Sequence, residues 1–395
     1  MNLKDLVACL SVLKNYCMTI GRLSFLKLLM QESRDEKLRA AEQGFIYIDQ
    51  SFTIESYLYQ SFNQKPKAAQ WDKRTAEEVQ KIIEEDRLLS VIELIEECEE
   101  KYLNLCHFLK SKVEQDIILY PLFNILKNFK SSGYKKEIIL EQVLNDLKRP
   151  SPEKPKRLFF GPSKIKIDKV FDLTTENNDI FSENADTLED IIPSFWSVAH
   201  SEMLAAELCA LTIVEYDYLP VKFYWDFAKQ SWDEARHSHM YLNLGFSFFK
   251  EMESTLCIDS KLYQIIHSYN DSKKGLPIPK ERNTYVAILN SDLEERIILM
   301  NILTEGPAVA RLSKKMKRSV SEEYPEIRRA YEFDRVDESF HARIGNYWLK
   351  YFIPDLKERK QRIEDAKLLK GFLLATSLSE NSDENFEELA LRLAN

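Results

Sequence analysis

The amino-acid sequence predicts an all-α protein. Only nine of its 395 residues are glycine, and long segments rich in leucine, lysine and glutamate place apolar residues at helical spacing. A repeated motif supports the same conclusion, because DEARH at 233–237 returns 104 residues later as DESFH at 337–341. Each copy places a glutamate and a histidine on one face of a helix, about one turn apart. Two helices are therefore expected to carry one pair of metal-ligating side chains each.

The composition is that of a water-soluble, folded chain. Apolar residues make up 44% and charged residues 30%. The net charge of −9 argues against a protein that coats nucleic acid. Six scattered cysteines without a Cys-x-x-Cys motif predict reduced thiols and a cytoplasmic location. The N-terminal segment is interpreted as an amphipathic helix rather than a signal peptide. No run approaches the roughly 18 apolar residues of a membrane span, so no membrane contact is expected.

The first region, 1–148, is interpreted as a helical accessory region. Two helices are expected up to about residue 60, joined through 44–48, which has a short strand as its alternative. Two or three further helices are expected over 74–148, the first with Thr75 as its N-cap. No catalytic constellation is recognisable in this region.

An irregular basic linker is predicted at 149–190. It opens with RPSPEKP, where the prolines end helical structure. Between residues 148 and 169 there are eight lysines and arginines but only two acidic residues. A solvated linker is the favoured interpretation, and contact with an anionic substrate or a nucleic-acid backbone is the alternative.

The region 191–356 is predicted to form a four-helix bundle of two helical hairpins, and 357–395 to add one or two accessory helices. A long crossover at 251–282 joins the hairpins, as one class of such bundles requires. The four helices are expected at 193–214, 221–250, 283–317 and 325–352.

Two further glutamates complete a six-residue site. In a helical hairpin, residues equally far from the turn lie level with each other. Glu202 and Glu234 flank a turn around residue 218 in this way, and Glu305 and Glu338 flank a turn just before Pro325. Two glutamates plus two Glu-x-x-His pairs form the ligand set of di-iron and di-manganese carboxylate proteins. The predicted metal ligands are Glu202, Glu234, His237, Glu305, Glu338 and His341.

Three other acidic residues are rivals for these positions. Glu207 shares the helix of Glu202 but lies about 7.5 Å further along the axis. It is kept as an alternative ligand or as a neighbour that supports the ligands. Glu294 and Glu295 lie too far from their turn to be level with Glu338, and a solvated helix face explains them better.

The aspartates that open the two motifs have an expected role. A ligating imidazole normally donates its other N–H to a carboxylate. Asp337 is therefore expected to contact His237, and Asp233 to contact His341. Plain surface aspartates are the alternative. The arginines Arg236 and Arg311 are expected to pair with surplus carboxylate charge rather than to clamp a substrate, which is the alternative.

The third helix of the bundle is expected to be kinked or bulged beside Glu305. Pro307 lacks the N–H that would bond the carbonyl of Leu303, and Gly306 removes a side chain. Such an opening would leave room for oxygen or substrate beside the metals. Thr304 is a candidate hydrogen-bond donor to bound oxygen, with a back-bonded or solvent-facing threonine as the alternative.

Several of these segments resemble the ferritin-like superfamily. They are HSEMLAAEL at 200–208, the two Asp-Glu motifs, EGP at 305–307 and ARIG at 342–345. The chain is most similar to an uncharacterised bacterial ferritin-like family grouped beside the tRNA-modifying non-haem di-iron hydroxylases. The resemblance covers roughly 150–352 and implies a ferritin-like bundle with a di-metal centre that reacts with dioxygen.

Three functions are compatible with this pattern. The first is an oxygen-dependent di-iron oxidase or hydroxylase that acts on a small molecule or a modified tRNA nucleotide. Two iron ions are the expected cofactor, with manganese or a mixed pair as alternatives. Dioxygen, an organic substrate and an electron donor are the expected partners, and nucleic acid has only weak support. The second function is a ferroxidase or iron-handling protein, and the third is a non-catalytic interaction protein with a structural metal.

Overall fold

The computed structural model describes most of the chain. The described residues are 3–64, 68–113, 155–158, 171–172, 186–257, 259–272, 276–277, 288 and 290–377. The predicted linker at 149–190, the crossover and the C-terminal tail fall partly outside this set, as do the helices predicted beyond residue 113.

The all-α prediction is confirmed, since nearly every described residue is helical. The α-helices are α1 Leu3–Met30, α2 Arg34–Phe62, α3 Lys73–Glu85, α4 Leu88–Val113, α5 Leu188–Glu215, α6 Val221–Met252, α7 Lys261–Ser272, α8 Leu293–Ile297, α9 Gly306–Lys315, α10 Ser319–Glu323, α11 Pro325–Phe352 and α12 Leu356–Ser377. A π-helix, Ile298–Glu305, lies between α8 and α9. Four two-residue strands form two small ladders: β1 Lys156–Arg157 pairs antiparallel with β3 Tyr216–Asp217, and β2 Phe171–Asp172 pairs parallel with β4 Leu276–Pro277.

The chain forms two compact units. The first consists of Met1–Lys166 and Cys209–Trp232, and the second of Ile167–Leu208 and Asp233–Asn395. Each predicted domain is one continuous stretch of the chain. In the structure each unit combines two stretches, and the division between the units cuts through α5 and α6. The reason is that Arg22 of α1 binds backbone carbonyls at the end of α5, which ties that segment to the first unit.

In the first unit α1 and α2 approach each other at glycine positions. A Cβ atom on Gly44 would lie 2.7 Å from the Phe25 ring, and one on Gly21 would lie 2.6 Å from Ile48. The connection predicted at 44–48 is wrong, and so is the strand considered as its alternative. Residues 31–33 separate α1 from α2, and 44–48 continue α2. Thr75 as an N-cap is also wrong, since Asp72 precedes α3 and accepts the Thr75 N–H at 3.1 Å.

The helices predicted for the bundle at 191–356 largely match the observed helices in their bounds. The structure has α5 at Leu188–Glu215, α6 at Val221–Met252 and α11 at Pro325–Phe352. The predicted third helix at 283–317 is not continuous. Asp292 caps a new helix by accepting the Glu295 N–H at 2.8 Å, and the π-helix follows within two turns.

The core of the second unit is apolar and aromatic, and its members include Phe195, Trp196, Tyr241 and Tyr331. Gly245 of α6 is needed for close packing there, because a Cβ atom would lie 2.4 Å from Trp196 Nε1. The helices that carry the candidate site pack around this core.

Two helices are long and apolar enough to cross a membrane by length and composition, Lys4–Met30 and Leu188–Glu215. Polar residues interrupt these apolar stretches, for example Lys14 and Asn15 in the first, and for that reason the sequence predicted no membrane span. In the most apolar 18-residue window of each helix, 72% and 67% respectively is buried inside the protein.

Candidate metal centre

Four helical segments of the second unit bring the six predicted ligands together. Glu202 lies on α5, Glu234 and His237 lie on α6, Glu305 is the last residue of the π-helix, and Glu338 and His341 lie on α11. Each Glu-x-x-His pair lies on one face of its helix, as the i, i+3 spacing requires. The first residue of α11 is Pro325, whose fixed φ suits a first helical turn.

One group of ligand atoms is close enough to bind a single ion. Glu202, Glu234, His237 and Glu338 each offer one oxygen or nitrogen, and these atoms lie within 4.8 Å of one another. Glu234, His237 and Glu338 are buried, whereas Glu202 is partly accessible because it lines a cavity. Three helices therefore contribute to one potential metal position.

The remaining two residues extend this group. His341 Nδ1 lies 2.9 Å from Glu234 Oε1 and 3.5 Å from Glu338 Oε1. Glu305 is buried, and the negative charge of Glu234 acts on its carboxyl group. Glu234 thus contacts both histidines, since its Oε2 also lies 3.3 Å from His237 Nδ1. Glu234 would therefore be available to an ion held by either histidine.

The outer nitrogens of both histidines face aspartates from the opposite motif. His237 Nε2 lies 3.1 Å from Asp337 Oδ2, and His341 Nε2 lies 3.4 Å from Asp233 Oδ2. These are the two contacts that the sequence predicts. Arg236 forms a salt bridge with Asp233 and lies 3.4 Å from Asp337 Oδ2. Asp233 contacts Arg236 through Oδ1 and His341 through Oδ2, whereas Asp337 contacts both Arg236 and His237 through Oδ2.

Asp334 is a member of the cluster that sequence reasoning missed. Its Oδ1 lies 3.6 Å from His237 Nδ1, and its Oδ2 accepts the Tyr241 hydroxyl at 2.5 Å. Asp334 precedes Glu338 by four residues on α11, so it lies on the same face of the helix. That spacing was readable in the sequence, but it has no counterpart in the first motif and was therefore overlooked.

Burial and mutual repulsion raise the pKa of most glutamates in the cluster. Burial and the charge of Glu234 raise the pKa of Glu202 well above its usual range. The same two causes raise the pKa of Glu305 to about 7. Burial and the charge of Glu305 raise the pKa of Glu338. In the absence of other cations, burial and mutual repulsion therefore favour the protonated, uncharged form of these carboxyl groups.

Glu234 and the two histidines behave in the opposite way. Burial raises the pKa of Glu234, but His341 and His237 outweigh it and hold that pKa well below its usual range. Burial lowers the pKa of His237, but hydrogen bonds to Asp337 and Glu234 raise it to about 10. Without a metal ion both imidazoles are therefore protonated. Their positive charges lie beside the Glu234 carboxylate.

The donor set fits a pair of divalent cations. Asp334 Oδ1 and both oxygens of Glu338 are buried and form no hydrogen bond with any described residue, and His341 Nδ1 approaches Glu234 Oε1 at 2.9 Å without the alignment of a hydrogen bond. Buried polar atoms normally have partners, so these atoms have coordination capacity to offer. Oxygen and imidazole ligands without thiolate suit iron or manganese. The six residues named from the sequence would hold the ions, with Asp334 beside them.

The helix departs from α geometry immediately before Glu305, as the sequence predicts. The π-helix Ile298–Glu305 ends there, and α geometry resumes at Gly306. Thr304 Oγ1 donates to Leu299 O at 2.8 Å, which is the back-bonded alternative, and accepts from Lys370 Nζ at 2.9 Å. Thr304 thus lies beside the cluster with its hydroxyl proton engaged by the backbone.

A cavity of about 550 Å³ adjoins the cluster. Glu202, Glu305 and Glu338 form part of its wall, together with Asp334 and Tyr241. Its volume is in the usual range for small-molecule sites. The cluster is therefore open to a cavity on one side and buried on the other.

The rival acids occupy other positions. Glu207 is buried on α5, but it belongs neither to the four-residue group nor to the cavity wall. Glu294 and Glu295 lie in the first turn of the short helix α8. Among the described residues, the level position on α5 belongs to Glu202.

Comparison with known proteins adds no relative, since no family model, curated protein or solved structure matches the chain significantly. The interpretation of the site therefore depends on its own geometry and chemistry.

Proposed function

We propose that this protein is an oxygen-dependent non-haem di-iron oxidase or hydroxylase with a ferritin-like four-helix bundle. The observation that carries the proposal is the buried cluster of four glutamates and two histidines, which has unsatisfied ligand atoms and adjoins a substrate-sized cavity. A structural ion would need the ligand cluster with its unsatisfied atoms, but it would not need a substrate-sized cavity. Manganese, alone or mixed with iron, is the alternative metal.

The chain's own residues have separate tasks in this proposal. Asp337 and Asp233 keep the outer N–H of each imidazole engaged, so that the inner nitrogen faces the cluster. Arg236 offsets their charge. The bound metal pair would supply the activation of dioxygen. Hydroxylation of a C–H bond consumes one O₂, two electrons and two protons and yields an alcohol and water, so an external electron donor is required.

The cavity also separates this function from its two rivals. Iron handling needs a path for hydrated ions but no cavity of this size with apolar lining. A non-catalytic structural ion favours a closed site. Residues such as Leu204, Leu208 and Leu312 instead line the space beside Glu202.

Metal content is the direct test. Wild-type protein loaded with Fe(II) without oxygen and then desalted is expected to retain about two iron ions per chain. Glu234→Ala should lose most of them, since Glu234 contacts both histidines. Glu332→Ala is the matched control, because Glu332 is exposed on α11. Oxygen consumption by the reduced wild-type protein would then support the oxidase.

Two results would contradict the proposal. Folded wild-type protein that binds neither iron nor manganese would remove the metal centre. Protein that binds two iron ions but consumes no oxygen after reduction would leave only a storage or structural role.

A further inference from the structure

The cavity beside the cluster has a pronounced chemical asymmetry. Its wall contains apolar side chains from α5, the π-helix and α9, among them Leu204, Met300 and Leu312. It also contains three cationic side chains, Arg311, Lys315 and Lys370. A site for a neutral hydrocarbon would not need these charges, and a site for a sugar would not need so much apolar surface.

Arg311 and Lys315 form a pair on one face of α9. They are four residues apart, which places them one turn apart on the same side of the helix. Six residues separate Glu305 from Arg311, or about 9 Å along the axis. The pair therefore lies a short molecule's length away from the cluster.

The local contacts leave the charges of this pair available. Arg311 donates to Thr304 O at 3.4 Å, and Lys315 lies 5.4 Å from the centre of the Tyr331 ring. Neither has a carboxylate within salt-bridge distance among the described residues, so the predicted pairing of Arg311 with carboxylate charge is wrong for this part of the chain. The pKa of Lys315 is lowered, because burial and the nearby charges of Arg318 and Arg311 outweigh the opposite effect of Asp334 and Glu202.

We propose that the cavity binds an amphipathic monocarboxylate. Arg311 and Lys315 hold the carboxylate, and the apolar body extends along the cavity towards Glu202 and Glu305. A planar guanidinium matches a carboxylate with two parallel hydrogen bonds. As a substrate assignment this proposal rests on the oxidase function, because it brings a C–H bond of the apolar body to the cluster.

Octanoate is a suitable probe, with octanol and octylamine as comparators of the same chain length. Its binding to purified protein is measured by calorimetry, first without metal and then after iron loading. Wild type should bind octanoate and bind both comparators at least about tenfold more weakly. Arg311→Gln and Lys315→Gln should each weaken octanoate binding about tenfold. Lys314→Gln is the control, because Lys314 is exposed on the same helix outside the cavity wall.

Equal binding of octanoate and octanol would overturn the proposal, as would unchanged octanoate binding in both cavity variants. Arg311 is exposed, so its variant keeps the fold and the result can be interpreted even where Lys315→Gln is unstable. Iron content measured on the same samples separates the two proposals. Octanoate binding by protein that retains no iron after loading would keep the anion site and remove the oxidase. Iron and oxygen consumption without octanoate binding would do the reverse.

Discussion

Each of the two units buries charged side chains, but the two sets differ in how they are satisfied. In the first unit Arg22 is fully buried and donates to Ile213 O, Val214 O and Tyr216 O at 2.8–3.1 Å. It also donates to Asp217 Oδ1 at 2.6 Å. In the second unit four glutamates and Asp334 surround two histidines, and several of their atoms have no hydrogen bond from a described residue.

The difference separates a structural network from a site. A buried charge whose bonds are complete stabilises one packing arrangement, and removing one partner is costly. A buried cluster with surplus carboxylates costs stability in the absence of cations. Such a cost is typical of functional sites. The first network therefore ties α1 to the segment after α5, whereas the second is suited to receive ions.

The largest expected effect of a substitution concerns the network in the first unit. Arg22→Met should lower the free energy of unfolding by about 3–5 kcal/mol, because it leaves Asp217 buried without its cation. Urea denaturation followed by circular dichroism measures this. Lys73→Met is the control, since its side chain is 88% exposed, and it should change stability by less than about 0.5 kcal/mol. A similarly small effect of Arg22→Met would show that the network is dispensable.

The second prediction concerns the acids outside the candidate ligands. Asp337→Asn should weaken iron binding about 10–100-fold while leaving the fold intact, because His237 loses the carboxylate that orients it. Competition with a chelator of known affinity provides the measurement. Glu332→Gln, on the exposed face of the same helix, should bind iron like the wild type. Identical affinities for both variants would contradict the role assigned to Asp337.

A third substitution tests the stability cost of one buried carboxyl group in the cluster. In metal-free protein Glu338→Gln should leave stability unchanged or raise it by about 1 kcal/mol, because the substitution removes a buried carboxyl group without a hydrogen-bond partner. The same variant should lose iron. Thermal unfolding with and without iron distinguishes the two effects. A loss of more than about 2 kcal/mol without metal would place Glu338 with the structural network instead.

The smallest effect is expected beside Glu305. At Gly306 an added Cβ atom would meet nothing nearer than Asn301 O at 3.9 Å. Gly306→Ala should therefore raise stability by about 0.5 kcal/mol, since alanine favours helix. Gly345→Ala is the contrasting variant, because its Cβ atom would lie 2.3 Å from the Asn301 Cβ. Destabilisation by both variants would mean that the space beside Glu305 is not open.

Spacing along single helices accounts for what could be predicted. The Glu-x-x-His pairs and the turn before Pro325 depend on helical geometry. A helix has 3.6 residues per turn, so residues on one face recur at a regular spacing in the sequence. Comparing the two hairpins then selected Glu202 over Glu207 as the level residue. The contacts of Asp337 and Asp233 followed from the same symmetry. These features are local, or they are related by the internal repeat.

Other features could not be read from spacing. Arg22 and Asp217 are 195 residues apart in the chain, and no local pattern links them. The continuation of α2 through 44–48 depends on Gly44 packing against Phe25. Lys370 reaches Thr304 from α12, a helix that the sequence only suggests as accessory. These contacts arise from the way whole helices pack.

The sequence by itself determined the all-α class, the repeated motif and the six candidate ligands, because helical periodicity places those side chains before any packing occurs. Only the tertiary structure decided that Asp334 joins the cluster, that the π-helix spans Ile298–Glu305, and that a cationic, apolar cavity adjoins the carboxylates. The physical reason is that burial, cavity shape and unsatisfied ligand atoms are properties of several helices together, and no single segment encodes them.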